Sequence, residues 1–380
     1  MSGTSSPLVD DLARLIALPS VSSQPNEALA DWMAERCEAA GFQVSLLRSA
    51  PGKVNVIATA GPAGTDGLVL SGHMDVVPTE GQPWSSDPFV LTERHGLLYG
   101  RGTADMKGFL AATLHALREV RTADLHRELM LLWTCDEEIG CLGSAAIADD
   151  LLARGRPVPR ACLIGEPTGF RVLRMHPGHV HVHIEVTGRA AHSSRPELGA
   201  NAIETAADVI VECRALAREL QEERADLPMP TPWVVLNVGR VQGGAAINIV
   251  PDRCQVELGY RPLPGTDDAS VLRRLQARLE ERFGAGACRV HARCCAVVPS
   301  LHTPPGTDLA AWLTPHAPDG VQSATFATDG GNLARAGMAP LVFGPGSIDV
   351  AHQADEHVAA ADLHHAAQIL RDLIGARCQA

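Results

Sequence analysis

No C-x-x-C pair occurs among the ten cysteines (37, 135, 141, 162, 213, 254, 288, 294, 295 and 378), which excludes the paired thiolate spacing of a zinc ribbon or a redox dithiol. They sit largely inside apolar runs such as Ala161-Cys162-Leu163-Ile164, the setting of reduced core residues, and none has a recognisable base partner for nucleophilic catalysis. No stretch of about 18 apolar residues occurs, so no membrane-spanning helix is expected. The opening residues Met1-Ser2-Gly3-Thr4-Ser5-Ser6-Pro7 lack the charged and apolar regions of a secretory signal. No basic run is present to track phosphates, and 32 Lys and Arg against 44 Asp and Glu leave a net charge of −12, which argues against a nucleic-acid partner. Internal repeats and low-complexity tracts are absent as well. These absences leave the expectation of a cytoplasmic protein of enzyme size.

At 380 residues, with 46% hydrophobic and 20% charged residues, the chain has a globular composition and the length of two domains. Periodicity predicts amphipathic helices over 7–18 and 26–40, the second with Asn26 as N-cap and Gly41 as stop. Strands over 55–59, 68–73, 129–134 and 161–164 are interleaved with a helix over 106–120. This is the pattern of a doubly wound α/β sheet, whose ligands gather at strand carboxyl ends. From 177 the order becomes strand (180–186), helix (200–223), two strands (233–241 and 247–260), helix (269–283) and strand (288–297). That order reads as an inserted, smaller α+β domain, a ferredoxin-like sandwich of sheet and two helices. Loops are rich in proline, as in Leu227-Pro228-Met229-Pro230-Thr231-Pro232. From 299 the first pattern resumes, with strands over 324–327 and 341–343 and a closing helix over 359–374. The expected division is a discontinuous first domain, 1–176 with 299–380, around an inserted domain at 177–298.

Polar residues collect where the strands of the first pattern end. His73 and Asp75 close the run Leu68-Val69-Leu70-Ser71-Gly72, and Asp105 lies between a strand and the start of a helix. Asp136, Glu137 and Glu138 follow Leu131-Leu132-Trp133-Thr134-Cys135, Glu166 follows Leu163-Ile164-Gly165, and His352 comes shortly after Phe343-Gly344-Pro345-Gly346. Taken singly, each is an ordinary loop histidine, turn or cap. Together, carboxylates crowded at one sheet end repel and raise one another's pKa unless a cation is present, so a metal site is the economical explanation. Two imidazoles with three or more carboxylates favour zinc over magnesium or calcium. Five ligands, one a carboxylate that can bridge, suffice for two ions about 3.5–4 Å apart. Asp75, two residues after His73, is spaced to take the ring's other N–H. Glu137 and Glu138, being neighbours, point differently, so one can bind metal and the other serve as general base.

Four segments, Ser71-Gly72-His73-Met74-Asp75-Val76-Val77-Pro78, Gly100 to Gly108, Cys135-Asp136-Glu137-Glu138 and Ile164-Gly165-Glu166-Pro167-Thr168, resemble the dinuclear zinc amidohydrolases and metallopeptidases that include acetylornithine deacetylase, succinyl-diaminopimelate desuccinylase and carboxypeptidase G. The resemblance implies two Zn2+, with Co2+ able to substitute: His73, Asp105 and Glu166 on one, Asp105, Glu138 and His352 on the other, Asp105 bridging. It implies Glu137 as general base and then acid, with Asp75 as the partner of His73. It further implies a homodimer through the inserted domain, with His192 reaching across as an oxyanion donor, and Asn248 and Arg261 holding the substrate carboxylate. Arg261 suits that task because its planar fork binds both oxygens. Val238-Gly239-Arg240-Val241-Gln242-Gly243-Gly244 and Gly344-Pro345-Gly346-Ser347-Ile348 are most similar to the acetylornithine deacetylase branch, so the expected substrate is an N-acyl-L-amino acid, N2-acetyl-L-ornithine first, in arginine biosynthesis.

Alternatives within the family are a succinyl-diaminopimelate desuccinylase, an aminoacylase, an acetylcitrulline deacetylase or a dipeptidase. Outside catalysis, a silent metal-bound binding protein on the same scaffold is the rival. Thr328-Asp329-Gly330-Gly331 and Met175-His176-Pro177-Gly178-His179 depart from the family pattern, which leaves the acyl group and amino acid open. His179, His181 and His183 alternate, so they share one strand face and form a second candidate metal group, with no carboxylate or cysteine at ligand spacing beside them.

Overall fold

The computed structural model describes residues 6–317 and 319–380, so most of the opening segment read for a secretory signal, residues 1–5, lies outside the described residues. The chain divides into two compact units. The first takes the chain up to Arg174 with Thr303–Gln322 and Thr328–Ala380, and the second takes Met175–His302 with Ser323–Ala327. In chain order the first unit has α1 (Pro7–Ile16), α2 (Glu27–Ala39), β1 (Gln43–Ala50), β2 (Lys53–Ala60), β3 (Leu68–His73), α3 (Lys107–Leu117), β4 (Leu129–Thr134), α4 (Leu142–Arg154) and β5 (Ala161–Ile164). The second unit follows with β6 (His179–Thr187), α5 (Ala202–Glu222), β7 (Val235–Gly243), β8 (Arg253–Arg261), α6 (Ser270–Phe283) and β9 (Arg289–Val298). The chain then returns to the first unit for α7 (Gly330–Arg335), β10 (Ala339–Val342) and α8 (Ala360–Ile374).

The fold is mixed α/β on a large mixed sheet, in which six strands of the first unit run in the order β1-β2-β4-β3-β5-β10. β4, β3, β5 and β10 are parallel, while β2 pairs antiparallel with β1 and β4. β3 and β4 are buried along their whole length, as parallel strands covered on both faces must be. Leu68, Leu70, Leu129, Leu131 and Trp133 share a core with α1, α2, α3 and α8, whereas α4 and α7 pack together outside that core. From β3 the chain passes through α3 to β4 on one side, then through α4 to β5 on the other. That reversal is the switch point at which open α/β sheets bind ligands, and the register sets His73 beside Thr134 and Ser71 beside Ile164. Carboxyl ends of the strands are therefore level by construction.

The second unit runs β6-α5-β7-β8-α6-β9, with an antiparallel sheet ordered β7-β8-β6-β9. Val180, Val182, Ile184 and Val186 of β6 join α5 and α6 in one core, which leaves His179, His181 and His183 on the opposite face.

Three local expectations are corrected. Residues 324–327 are not a strand; the extended segment is Val321–Ser323, and 324–327 forms bends. The single strand expected over 247–260 is broken at Pro251 and Asp252 into Ile249–Val250 and β8, because proline supplies no ladder N–H. Asn26 precedes α2 but makes no side-chain cap bond, since its amide is committed to both the N–H and the carbonyl of Val54, at 2.8 Å each. Among the described residues no helix is long and apolar enough to cross a membrane, and all ten cysteines are free, with only Cys294 and Cys295 exposed.

Candidate metal centre and active site

Asp105 stands between two donor sets. Its Oδ1 lies 2.9 Å from His73 Nε2 and its Oδ2 3.2 Å from His352 Nε2. His73 Nε2 is also 3.9 Å from Glu166 Oε2, while His352 Nε2 is 3.0 Å from Glu138 Oε2. Ligand-capable atoms of His73, Asp105 and Glu138 all fall within 4.8 Å of one another. His73 ends β3, Glu138 follows β4, Glu166 follows β5 and His352 follows β10, so the level strand ends bring these four to Asp105. Glu166 can come this close because Gly165 has no side chain; a Cβ there would run into the Phe109 ring.

The cluster is short of positive charge. Burial and the neighbouring Glu166 push Glu137 well above the carboxylate range, and burial with Asp105 does the same to Glu166. Burial and Asp105 also raise Glu138. Asp105 is held low against its burial by hydrogen bonds from His352 and His73. The imidazoles answer in kind: hydrogen bonds to Asp105 and Glu138 push His352 up to about 10, and His73, despite burial, is pulled up by Asp105 and Glu166. Three acids and two imidazoles that draw protons to neutralise the cluster, together with Asp105 offering one oxygen to each set, fit divalent ions.

Asp75 does something other than expected. The His73 Nδ1 lies 2.9 Å from the Asp75 backbone carbonyl and 3.7 Å from its carboxylate, so the ring's hydrogen bond goes to the main chain. The Asp75 carboxylate instead accepts the N–H groups of Glu137 (3.1 Å) and Glu138 (3.3 Å) and the hydroxyl of Ser22 (2.7 Å). It therefore orients the two adjacent glutamates. Asp136 leaves the cluster: at φ 56° its side chain meets Lys53 Nζ at 2.6 Å.

Several contributing residues lie in segments marked in the sequence but are not singled out there as site residues. Glu356, fully buried, accepts from the backbone N–H of Gly102, Ala104 and Asp105 and from Arg101 Nη1 at 2.6 Å, which fixes the loop that presents Asp105. Lys107, the first residue of α3 and two residues after Asp105, donates to the carbonyls of Leu15 and Leu18, and burial lowers it to about 7. Asp329, in the segment that departs from the family pattern, is buried, accepts from Thr134 Oγ1 at 2.7 Å and groups with Glu137 and Cys141. Replacing Glu356 by Gln should weaken metal binding by about 10–100-fold, because the ligand loop loses a charged anchor; a competitive chelator titration measures it.

His192, Asn248 and Arg261 lie in the second unit. His192 is exposed on the pair Ala191–His192 with Ile249–Val250, its Nδ1 2.7 Å from Ser194 Oγ, and the Asn248 carbonyl accepts the N–H of Ser193. Arg261 ends β8. Among the described residues, groups of metal-capable donors form in two places, and neither includes His179, His181 or His183. His179 is pushed down to about 4 by burial, with Arg261 and His181 adding. Near it, burial and Arg261 hold His176 down at about 4 against the ordinary 6.5. Between those values the unfolded chain takes up a proton that the folded chain refuses. The stability this gives is whole above pH 6.5 and is lost as pH falls towards 4, by about 3 kcal/mol. Urea midpoints measured across that window should fall less for His176→Asn than for the unchanged protein.

Residues 69–376 match the peptidase family M20/M25/M40. An acetylornithine deacetylase of Proteus mirabilis is 36% identical, over 97% of this chain and 96% of its own. The chain belongs to the M20 family. It is accordingly an enzyme, a hydrolase acting on amide bonds. Among solved M20-like folds, a Staphylococcus aureus tripeptidase superimposes with a TM-score of 0.77 at 18% identity, over 97% of both chains. A Bacillus subtilis M20 protein described as a dinuclear metal binding peptidase superimposes with 0.68 at 16% identity, over 97% of this chain and 96% of its own.

Proposed function

We propose that this M20 enzyme hydrolyses the amide of an N-acyl-L-amino acid, N2-acetyl-L-ornithine in the first place, to acetate and L-ornithine in cytoplasmic arginine biosynthesis. The observation that carries the reading is Asp105, whose two oxygens face two imidazoles, each with its own further carboxylate, while Glu137 stays uncommitted beside them. His73, Asp105 and Glu166 would hold one Zn2+ and Asp105, Glu138 and His352 the other. When bound, such a pair supplies Lewis acidity and brings the pKa of water towards ~7.

Glu137 takes a proton from the attacking water and returns it to the leaving nitrogen, so one carboxylate serves both halves of the reaction. Asp75, through the N–H groups of Glu137 and Glu138, keeps the base and the ligand pointing apart. His192 donates to the acyl oxygen as it gains charge, and Arg261 with Asn248 holds the substrate carboxylate. In this reading, 1–176 with 299–380 is the catalytic domain and 177–298 the domain through which two copies pair. The 36% identity to an acetylornithine deacetylase supports the choice of substrate. Assay of acetylornithine, acetylcitrulline, succinyl-diaminopimelate, acetylmethionine and dipeptides side by side should give acetylornithine the highest kcat/KM. A higher value for another compound reassigns the substrate, and no hydrolysis of any by metal-loaded protein removes the reading.

A further inference from the structure

The irregular segment 78–90, between β3 and α3, supplies none of the metal donors, yet its side chains tie it to the stretch that carries His352. Gln82 Nε2 donates to the His352 carbonyl at 2.8 Å, and the N–H and hydroxyl of Ser85 both donate to Asp355 Oδ1, at 2.9 Å each. These bonds fall on two residues that need support. His352 has φ 62° and Asp355 φ 58°, in the left-handed region that a residue with a side chain enters at a cost and keeps only when its surroundings hold it there.

Gln82 does more than fasten a loop. Its Oε1 accepts from Arg101 Nη2 at 2.6 Å and from Trp84 Nε1 at 3.0 Å, and the Arg101 guanidinium lies 5.1 Å from the Trp84 ring centre. Arg101 is buried, and its Nη1 donates to Glu356, whose other oxygen accepts the Asp105 N–H at 3.0 Å. One polar chain therefore runs from the Asp105 backbone through Glu356, Arg101 and Gln82 to the His352 carbonyl. Its two ends are donors of the same ion set. The guanidinium can only donate and the carbonyl can only accept, so the group that joins them has to accept on one side and donate on the other. An amide does both, whereas a carboxylate does only the first. We propose that Gln82 is a positioning residue for His352, its amide joining the Arg101 guanidinium to the His352 carbonyl so that His352 and Asp105 are set together for their shared ion. The proposal rests on the metal-centre reading above. Gln82 acts through His352 and touches no reacting atom.

Zn2+ titration of the full-length protein against a competitive chelator tests this. The metal-centre reading expects two ions in the unchanged protein, and His352→Ala, which should keep one, shows which of the two affinities belongs to the His352 set. Gln82→Glu preserves the length of the side chain and its acceptance from Arg101 and Trp84, and loses the donation to His352. It should weaken binding in the His352 set about 10–100-fold and leave the other affinity unchanged. Gln82→Ala loses both ends and should show the same selective loss, which keeps the test decisive if a carboxylate at this place disturbs the fold. Ser85→Ala cuts the neighbouring tie, to Asp355, and should bind both ions as the unchanged protein does. Unchanged affinities in both Gln82 variants, equal weakening of the two ions, or the same loss in Ser85→Ala overturns the proposal, the last by making 78–90 a general brace. Fewer than two ions in the unchanged protein is a separate failure, which ends the metal-centre reading and this proposal with it.

Discussion

Glu137→Gln is expected to lower kcat about a thousandfold or more while the bound metal stays unchanged. The expectation follows from how three consecutive acids are separated. Asp136 is turned by its positive φ towards Lys53, and Asp75 takes the N–H groups of the other two. Glu138 then meets His352 at 3.0 Å, and among the described residues Glu137 makes no ion pair, accepting a long contact of 3.5 Å from the Cys141 thiol. Burial and Glu166 give it a carboxylate more basic than usual, as a proton carrier near neutral pH requires. Glutamine has the same shape and cannot take the proton. Steady-state rates with elemental analysis on the same sample decide the matter: normal turnover removes Glu137 from the reaction, and lost metal makes it a ligand.

Asp105→Asn should cost more than activity. Its two oxygens serve two separate imidazole-carboxylate sets, at 2.9 and 3.2 Å, and asparagine offers one oxygen and one NH2 group. Both sets lose a charge and one loses its donor atom. Metal affinity should therefore fall well beyond the ~10–100-fold expected when only an outer anchor such as Glu356 is altered. Glu166→Gln, by comparison, touches one set, so its protein should retain about half of the bound metal. Equal metal content in the unchanged protein and Asp105→Asn would show that Asp105 is no bridge.

The strand ends were legible in the sequence because buried parallel strands are unbroken apolar runs, and each run stops at its first polar residue. Parallel register then makes the stops level, which is why His73, Glu138 and Glu166 meet although nearly a hundred residues separate the first from the last. Other features left no such mark. β1 is mostly exposed along its length, so it has no apolar run to announce it. Asp75 sits at the spacing of a ring partner, yet the backbone carbonyl lies nearer the ring and frees the carboxylate for two amides. Glu356 bonds mostly to main-chain N–H groups, which every residue possesses, and its one side-chain partner, Arg101, lies 255 residues away, so nothing in the local sequence gives it its anchoring role. The alternating histidines of β6 follow from the opposite cause: sharing a strand face is a matter of sequence, but convergence on one ion also needs donors from neighbouring strands, and although Glu257 of β8 lies 3.6 Å from His181, among the described residues no group of three donors forms there.

The central claim is that Asp105 joins two divalent ions. Anomalous diffraction at the metal edge, from crystals of active protein, tests it most directly. The account predicts two peaks about 3.5–4 Å apart on either side of the Asp105 carboxylate, one near His73 and Glu166 and the other near His352 and Glu138. Fully active crystals with no peak beside Asp105, or with a single peak that leaves His352 without metal, would contradict it.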